Sequence, residues 1–120
     1  MKRILLVEDD KNVRRFLEEE LNDDGYFILA ASNGKEALSL LKKKDLEKPD
    51  LIILDLRMPK MDGFETMGHI LKSRQNTPVI IHTAYSSYKN DVMVMAAEAY
   101  VEKSHDLTKL KDIIKELIGK

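Results

Sequence analysis

The stretch Asp50-Leu51-Ile52-Ile53-Leu54-Asp55 decides how this chain is read. Its four consecutive aliphatic residues form the kind of apolar run expected of a parallel strand covered on both faces. The run ends on a carboxylate, where a buried strand should stop. A second run, Ile4-Leu5-Leu6-Val7, stops in the same way at Glu8-Asp9-Asp10. A parallel sheet brings those two ends together and gathers several carboxylates into one small hollow. Such a hollow is electrostatically costly without a cation. The arrangement points to a magnesium site with a nucleophilic aspartate, Asp55, inside it.

Outward from this pair the pattern repeats. Strand candidates are Arg3–Val7, Tyr26–Ala31, Asp50–Leu54, Val79–Thr83 and Ala99–Glu102. Helical segments lie between them. Val13, Phe16, Leu17 and Leu21 share one face. Asn33 and Glu36 read as a capping box before Ala37, Leu38 and Leu41. Phe64, Met67 and Leu71 mark a third helix, and Val92, Met95 and Ala96 a fourth. Leu107, Leu110, Ile113, Ile114, Leu117 and Ile118 make the fifth and strongest stripe. These apolar residues, most of the six methionines included, read as core. Lys42-Lys43-Lys44 reads as a solvated helix end, where cations suit the dipole. Strict β-α alternation implies right-handed crossovers and an open parallel α/β sheet. Function then belongs at the carboxyl ends of the strands.

Composition narrows the class. The 120 residues fit one domain spanning 1–120, with 43% hydrophobic and 34% charged residues. Twenty basic against 21 acidic residues leave a net charge of −1, without the basic excess of a nucleic-acid binder. There is no cysteine, which removes disulfides, thiolate metal sites and cysteine nucleophiles. No apolar stretch approaches membrane-spanning length and the N-terminus lacks a signal-peptide pattern, so a cytoplasmic protein is expected.

Four strands end in polar residues that this fold gathers at one edge: Glu8, Asp9 and Asp10, then Asp55, then Thr83, then Lys103. A carboxylate attacks a phosphoryl group only when the charges are neutralised. Magnesium takes hard oxygen ligands, a lysine pairs with a phosphoryl oxygen, and a hydroxyl hydrogen-bonds another. Phosphoryl transfer is mostly positioning and electrostatic stabilisation, which this set supplies. A lone aspartate at a strand end is more often a turn residue, but its companion acids oppose that reading. Thr83, Lys103 and Tyr100 would each be ordinary if they stood alone. Asp10 reads as a helix-start residue. Pro59 and Gly63 shape the loop after the site. Of His69, His82 and His105, only His82 stands near the site, and no metal-ligand spacing supports it.

Taken in order, these motifs give the chain a strong likeness to a known family. Ile4-Leu5-Leu6-Val7-Glu8-Asp9-Asp10, then Asp50 to Pro59 with Met61-Asp62-Gly63, then Thr83-Ala84 and Tyr100-Val101-Glu102-Lys103, resemble the receiver domains of two-component response regulators. The chain is similar to the single-domain chemotaxis and sporulation-relay regulators, and the likeness covers essentially the whole chain. It implies a doubly wound (βα)5 sheet of flavodoxin-like strand order 2-1-3-4-5. It also implies that Asp55 is phosphorylated, that Asp9 binds Mg2+ directly, and that Glu8 helps through a water. The Arg57 backbone carbonyl would be another metal ligand. Lys103 would contact the phosphoryl group, Thr83 would swing toward it, and Tyr100 would change rotamer in step. The donor would be a phosphohistidine on a sensor histidine kinase or a histidine phosphotransfer protein. The output would be a downstream protein effector that reads the fourth helical segment, fifth strand and fifth helical segment. Neither nucleic acid nor membrane is an expected direct partner. The domain would catalyse only its own phosphorylation and dephosphorylation.

Three features depart from that pattern. Ser104 follows Lys103 where the family carries a cis-proline, and a non-proline cis bond costs about 2.5–4 kcal/mol. The segment from Thr83 to Tyr100 is short, with Ala96-Ala97-Glu98-Ala99 before the fifth strand, so the fourth helical segment is expected to be short or irregular. Arg57 and Tyr85 are bulky at loop positions that tune phosphoryl loss, and are expected to lengthen the phosphorylated lifetime. Rival readings fit less well. A haloacid-dehalogenase-type phosphatase needs an acid where Arg57 stands. A nucleotide or flavin module needs a glycine-rich phosphate loop where Glu8-Asp9-Asp10 stands. A receiver-like interaction module not regulated by phosphorylation is the alternative, opposed by the full acid, threonine and lysine set.

Overall fold

The apolar runs fold as strands and the segments between them as helices in the computed structural model, which describes residues 1–45, 47–56, 61–73, 76–84, 91 and 95–119. In chain order the elements are β1 (Arg3–Val7), α1 (Lys11–Asp23), β2 (Phe27–Ala31), α2 (Gly34–Lys42), β3 (Leu51–Leu54), α3 (Gly63–Lys72), β4 (Val79–Thr83), β5 (Ala99–Glu102) and α4 (Thr108–Ile118). The second and third strands start one residue later than the sequence predicts. The predicted fourth helical segment falls largely outside the described residues. Within it, the Met95 N–H donates to the Asp91 carbonyl at 2.8 Å. The fifth predicted segment is therefore α4.

All strand pairs are parallel, in the order β2-β1-β3-β4-β5. Both the parallel sheet and its order match expectation. Register fixes the site: Val7 lies opposite Leu54, so Glu8 and Asp55 leave the sheet side by side. Leu54 lies opposite Ile81, and Thr83 opposite Glu102, which sets the exits of β4 and β5 along the same edge.

The three central strands are buried on both faces, as their unbroken aliphatic sequences require. Leu5, Val7, Ile52, Leu54, Val79 and Ile81 pack toward α2 and α3. Ile4, Leu6, Leu51, Ile53, Ile80 and Val101 pack toward α1 and α4. Burying each such side chain contributes about 1.5–3 kcal/mol. That is ample to hold strand ends in fixed register under a cluster of repelling acids.

Three apolar residues read as core are exposed instead. Phe16 and Leu71 stand 41% and 44% exposed, and Met95 67%. On α1, Leu17 and Leu21 are the buried residues, and Phe16 falls on the flank of their stripe. On α3 the buried stripe is Gly63, Thr66, Met67 and Ile70, which leaves Leu71 at its margin. Of the four methionines among the described residues, Met67 is buried, Met61 half-buried and Met1 and Met95 exposed, so one of the four is core.

Helix starts are set by side chains. Asp10 accepts from the Asn12 and Val13 N–H groups at 2.9 and 3.2 Å, as expected of an N-cap. Asn33 accepts from the Glu36 N–H at 2.9 Å, but the Glu36 carboxylate accepts from the Ser32 hydroxyl instead of returning to Asn33. The capping box is therefore half formed. Lys42, in the last turn of α2, suits the negative end of the helix dipole. Among the described residues no helix is long and apolar enough to cross a membrane.

Candidate functional site

The β1–α1 junction carries Glu8 and Asp9. The Glu8 N–H extends the ladder to the Ala31 carbonyl at 3.0 Å, and the Asp55 N–H does the same to Val7 at 3.0 Å. Both acids are thus held by strand hydrogen bonds on their own backbones. Glu8 is 1% exposed and Asp55 4%. One carboxylate oxygen each from Glu8, Asp9 and Asp55 lies within 4.8 Å of the other two. Three acids converge, as the sequence predicts.

Lys103 enters from the end of β5. Its backbone N–H donates to the Thr83 carbonyl at 2.8 Å, which anchors the residue to β4. Its Nζ lies 2.8 Å from Glu8 Oε1 and 3.1 Å from Asp55 Oδ2. The Lys103–Ser104 peptide is trans, and the lysine reaches the acids in that geometry.

Burial pushes the Glu8 carboxyl up to about 7, and the Asp55 charge adds to this. The Lys103 hydrogen bond and the Asp10 N–H, which donates to Glu8 Oε2 at 3.1 Å, act in the opposite sense. Burial alone would lower the Lys103 ammonium, but Glu8 and Asp55 outweigh it and hold it raised. One ammonium thus serves buried acids that lie beside a third carboxylate. A divalent cation with a preference for oxygen ligands fits this donor set. The small separation of the three acids is the geometric sign of a place for positive charge.

Thr83 is fully buried at the end of β4, one strand from Asp55. Tyr100 is half-buried on β5 and packs on the α2–α3 side of the sheet. Arg57 and Tyr85 lie outside the described residues, as do Met58 and Pro59. The structure brings Glu8, Asp9, Asp55 and Lys103 together, sets Thr83 on the neighbouring strand, and leaves Tyr100 in the packing layer.

Some supports were not visible in sequence. Gly63 does more than shape a loop. Its N–H donates to the Leu56 carbonyl at 2.8 Å, and a Cβ there would collide with the Asp55 carbonyl and the Leu56 Cα. Only glycine lets α3 start this close to the strand end that carries Asp55. Its place directly after the cap residue Asp62 was the available signal. Arg14, on the first turns of α1, donates to the carbonyls of Glu8 and Asp9 at 2.8 and 3.3 Å. His82 is 3% exposed, and burial, reinforced by Lys103, pushes it down to about 4. Val13, Phe16, Leu17, His82 and Lys103 line part of an open hollow of about 220 Å³ beside the acids.

A doubly wound parallel sheet with acids and a lysine at its carboxyl edge defines the class, an α/β protein whose polar site lies at the strand ends. The response regulator receiver domain profile matches residues 4–115, and the chain belongs to that family. The sporulation initiation phosphotransferase F of Bacillus subtilis is 33% identical over 118 residues, covering 97% of this chain and 93% of its own length. The response regulator TrrA of Thermotoga maritima, solved in complex with Mg2+–BeF, superposes with a TM-score of 0.88 at 45% identity. That match covers 98% of this chain and 99% of TrrA. TrrA in complex with the histidine kinase ThkA matches with a TM-score of 0.87 at 43% identity, covering 98% and 99%. The chain spans about half the length, or less, of several other curated relatives that it matches.

Proposed function

We propose that this receiver is a magnesium-dependent phosphoacceptor in a two-component or phosphorelay system. The observation that carries the reading is the trio Glu8, Asp9 and Asp55 within 4.8 Å, with Lys103 bonded to two of the three. Asp9, Asp55 and the Arg57 carbonyl would hold Mg2+, with Glu8 contributing through water. When bound, the ion supplies charge neutralisation for an incoming phosphoryl group. An Asp55 carboxylate oxygen attacks the phosphorus of a phosphohistidine, the P–N bond breaks, and the imidazole leaves with its electron pair. Lys103 exchanges its carboxylate contacts for a phosphoryl oxygen, and the Thr83 hydroxyl donates to another. The acyl phosphate shifts an existing equilibrium on the face formed by the fourth helical segment, β5 and α4, with Tyr100 following.

The described kinase complex of TrrA supports a histidine kinase, or a phosphotransfer protein, as donor. Output would pass to a protein effector, in the cytoplasm. The domain itself would be a signalling module whose catalysis is confined to its own phosphoryl group. Incubation with acetyl phosphate and Mg2+, followed by mass spectrometry, tests this. One phosphoryl adduct that needs Mg2+ and disappears in Asp55→Asn is expected. No adduct on the unsubstituted protein, or one that survives Asp55→Asn, overturns the reading.

A further inference from the structure

We propose that Arg14 is a positioning residue for metal loading. Its guanidinium clamps the two carbonyls that flank the Glu8–Asp9 junction and so fixes the aim of both acids. The proposal rests on reading the acid cluster as a magnesium site.

The Arg14 Nη1 lies 2.8 Å from the Glu8 carbonyl oxygen and 3.3 Å from that of Asp9. These carbonyls belong to the turn in which the chain leaves β1 and enters α1. β1 ends at Val7 and α1 begins at Lys11, so neither carbonyl lies within a strand or helix. A partly buried carbonyl needs a donor from elsewhere. Three other backbone groups of the turn are already committed. The Glu8 N–H goes to Ala31, the Asp10 N–H to the Glu8 carboxylate, and the Asp10 carbonyl to the Arg14 N–H at 2.9 Å. Arg14 therefore closes the turn onto the helix that follows it. Both contacts come from one nitrogen, Nη1, whose N–H groups are fixed in the plane of the guanidinium, whereas those of an ammonium rotate on a flexible stem.

Charge and geometry make opposite demands here. A cation beside a divalent-metal site weakens the metal by repulsion, so removing it on charge grounds alone should tighten binding. Removing the clamp frees the backbone that carries Asp9 and Glu8 and should weaken binding. The sign of the change therefore separates a clamp from a stray surface charge.

The test is Mg2+ titration of the whole chain by calorimetry at fixed ionic strength, with thermal melting of the metal-free protein alongside. Arg14→Ala is expected to weaken Mg2+ about 10-fold, the usual cost of losing a group that orients a metal ligand. Arg14→Lys, which keeps the charge but not the planar N–H geometry, and Arg14→Gln, which keeps an NH2 donor group without the charge, should both fall between. Phosphorylation by acetyl phosphate should recover in all three at saturating Mg2+. Unchanged or tighter binding in Arg14→Ala overturns the proposal. Should that variant not fold, equal affinity of Arg14→Gln and the unsubstituted protein does so. If the unsubstituted protein binds no Mg2+, the acid-cluster reading falls and this proposal falls with it. Binding that survives in Asp9→Asn but weakens in Arg14→Ala removes Asp9 while leaving the clamp on the loop.

Discussion

Glu8 and His82 are buried almost equally, at 1% and 3% exposure, and both feel the charge of Lys103. Burial favours the neutral form of each, so the acid rises to about 7 and the imidazole falls to about 4. The ammonium divides them. At Glu8 it opposes burial and keeps the ionised form within reach; at His82 it reinforces burial and holds the ring neutral. One sheet edge thus has a side where charge can be recruited near neutral pH and a side where it cannot. Proximity to a cation does not by itself make a charge site; the sign of the neighbour decides.

Removing the divider should have the largest effect. Lys103→Met is expected to slow phosphorylation of Asp55 by acetyl phosphate by about two to three orders of magnitude, the cost of deleting one preorganised charge-stabilising donor. A mass-spectrometric time course at saturating Mg2+ checks it. An unchanged rate would take Lys103 out of the phosphoryl path.

The neutral side is tested by pH. The folded His82 value lies below its ordinary 6.5. Its favourable contribution is whole above 6.5 and is lost as pH falls toward 4, because the unfolded chain takes up the proton first. Glu8 runs the other way: its contribution is whole below 4.5 and is lost as pH rises through about 7. The two slopes offset one another between about 4.5 and 6.5. His82→Leu removes one of them. Urea unfolding should find the variant and the parent close at pH 7.5, with the variant gaining up to about 3 kcal/mol by pH 4. Parallel curves would show that His82 ionises freely.

A smaller loss is expected from pressing on the backbone beneath the acid side. Gly63→Ala should cost about 2 kcal/mol in the same unfolding assay, as overpacking does. No loss would mean that α3 can withdraw from Asp55. The smallest change is in the ring itself. In Lys103→Met, the His82 midpoint followed by NMR should rise toward 6.5 without reaching it, since burial is the larger cause of its depression. A midpoint that does not move would break the comparison between the two sides.

Much of this edge was legible in sequence because aliphatic runs such as Ile4–Val7 and Leu51–Leu54 admit one placement. Once they pair in parallel, Glu8, Asp9 and Asp55 must meet. Asp10 as a cap and Lys103 as the cation followed from the same logic. What escaped depends on rotation or on contacts without periodicity. Phe16 and Leu71 lie at stripe margins, where a small turn of the helix decides exposure. Gly63 matters for the space that it leaves empty, which a one-letter code records only as glycine. Arg14 acts on backbone carbonyls, and no pattern of side chains announces that.

The contact of Lys103 with both Glu8 and Asp55 carries a kinetic consequence. The ammonium is a tethered competitor: it reaches the acids at an effective concentration set by a short stretch of chain and not by the buffer. Any other cation arriving at these two acids meets a competitor that belongs to the chain itself. On the proposed reading, an incoming phosphoryl oxygen would have to displace this lysine from the acids before the aspartate could be modified.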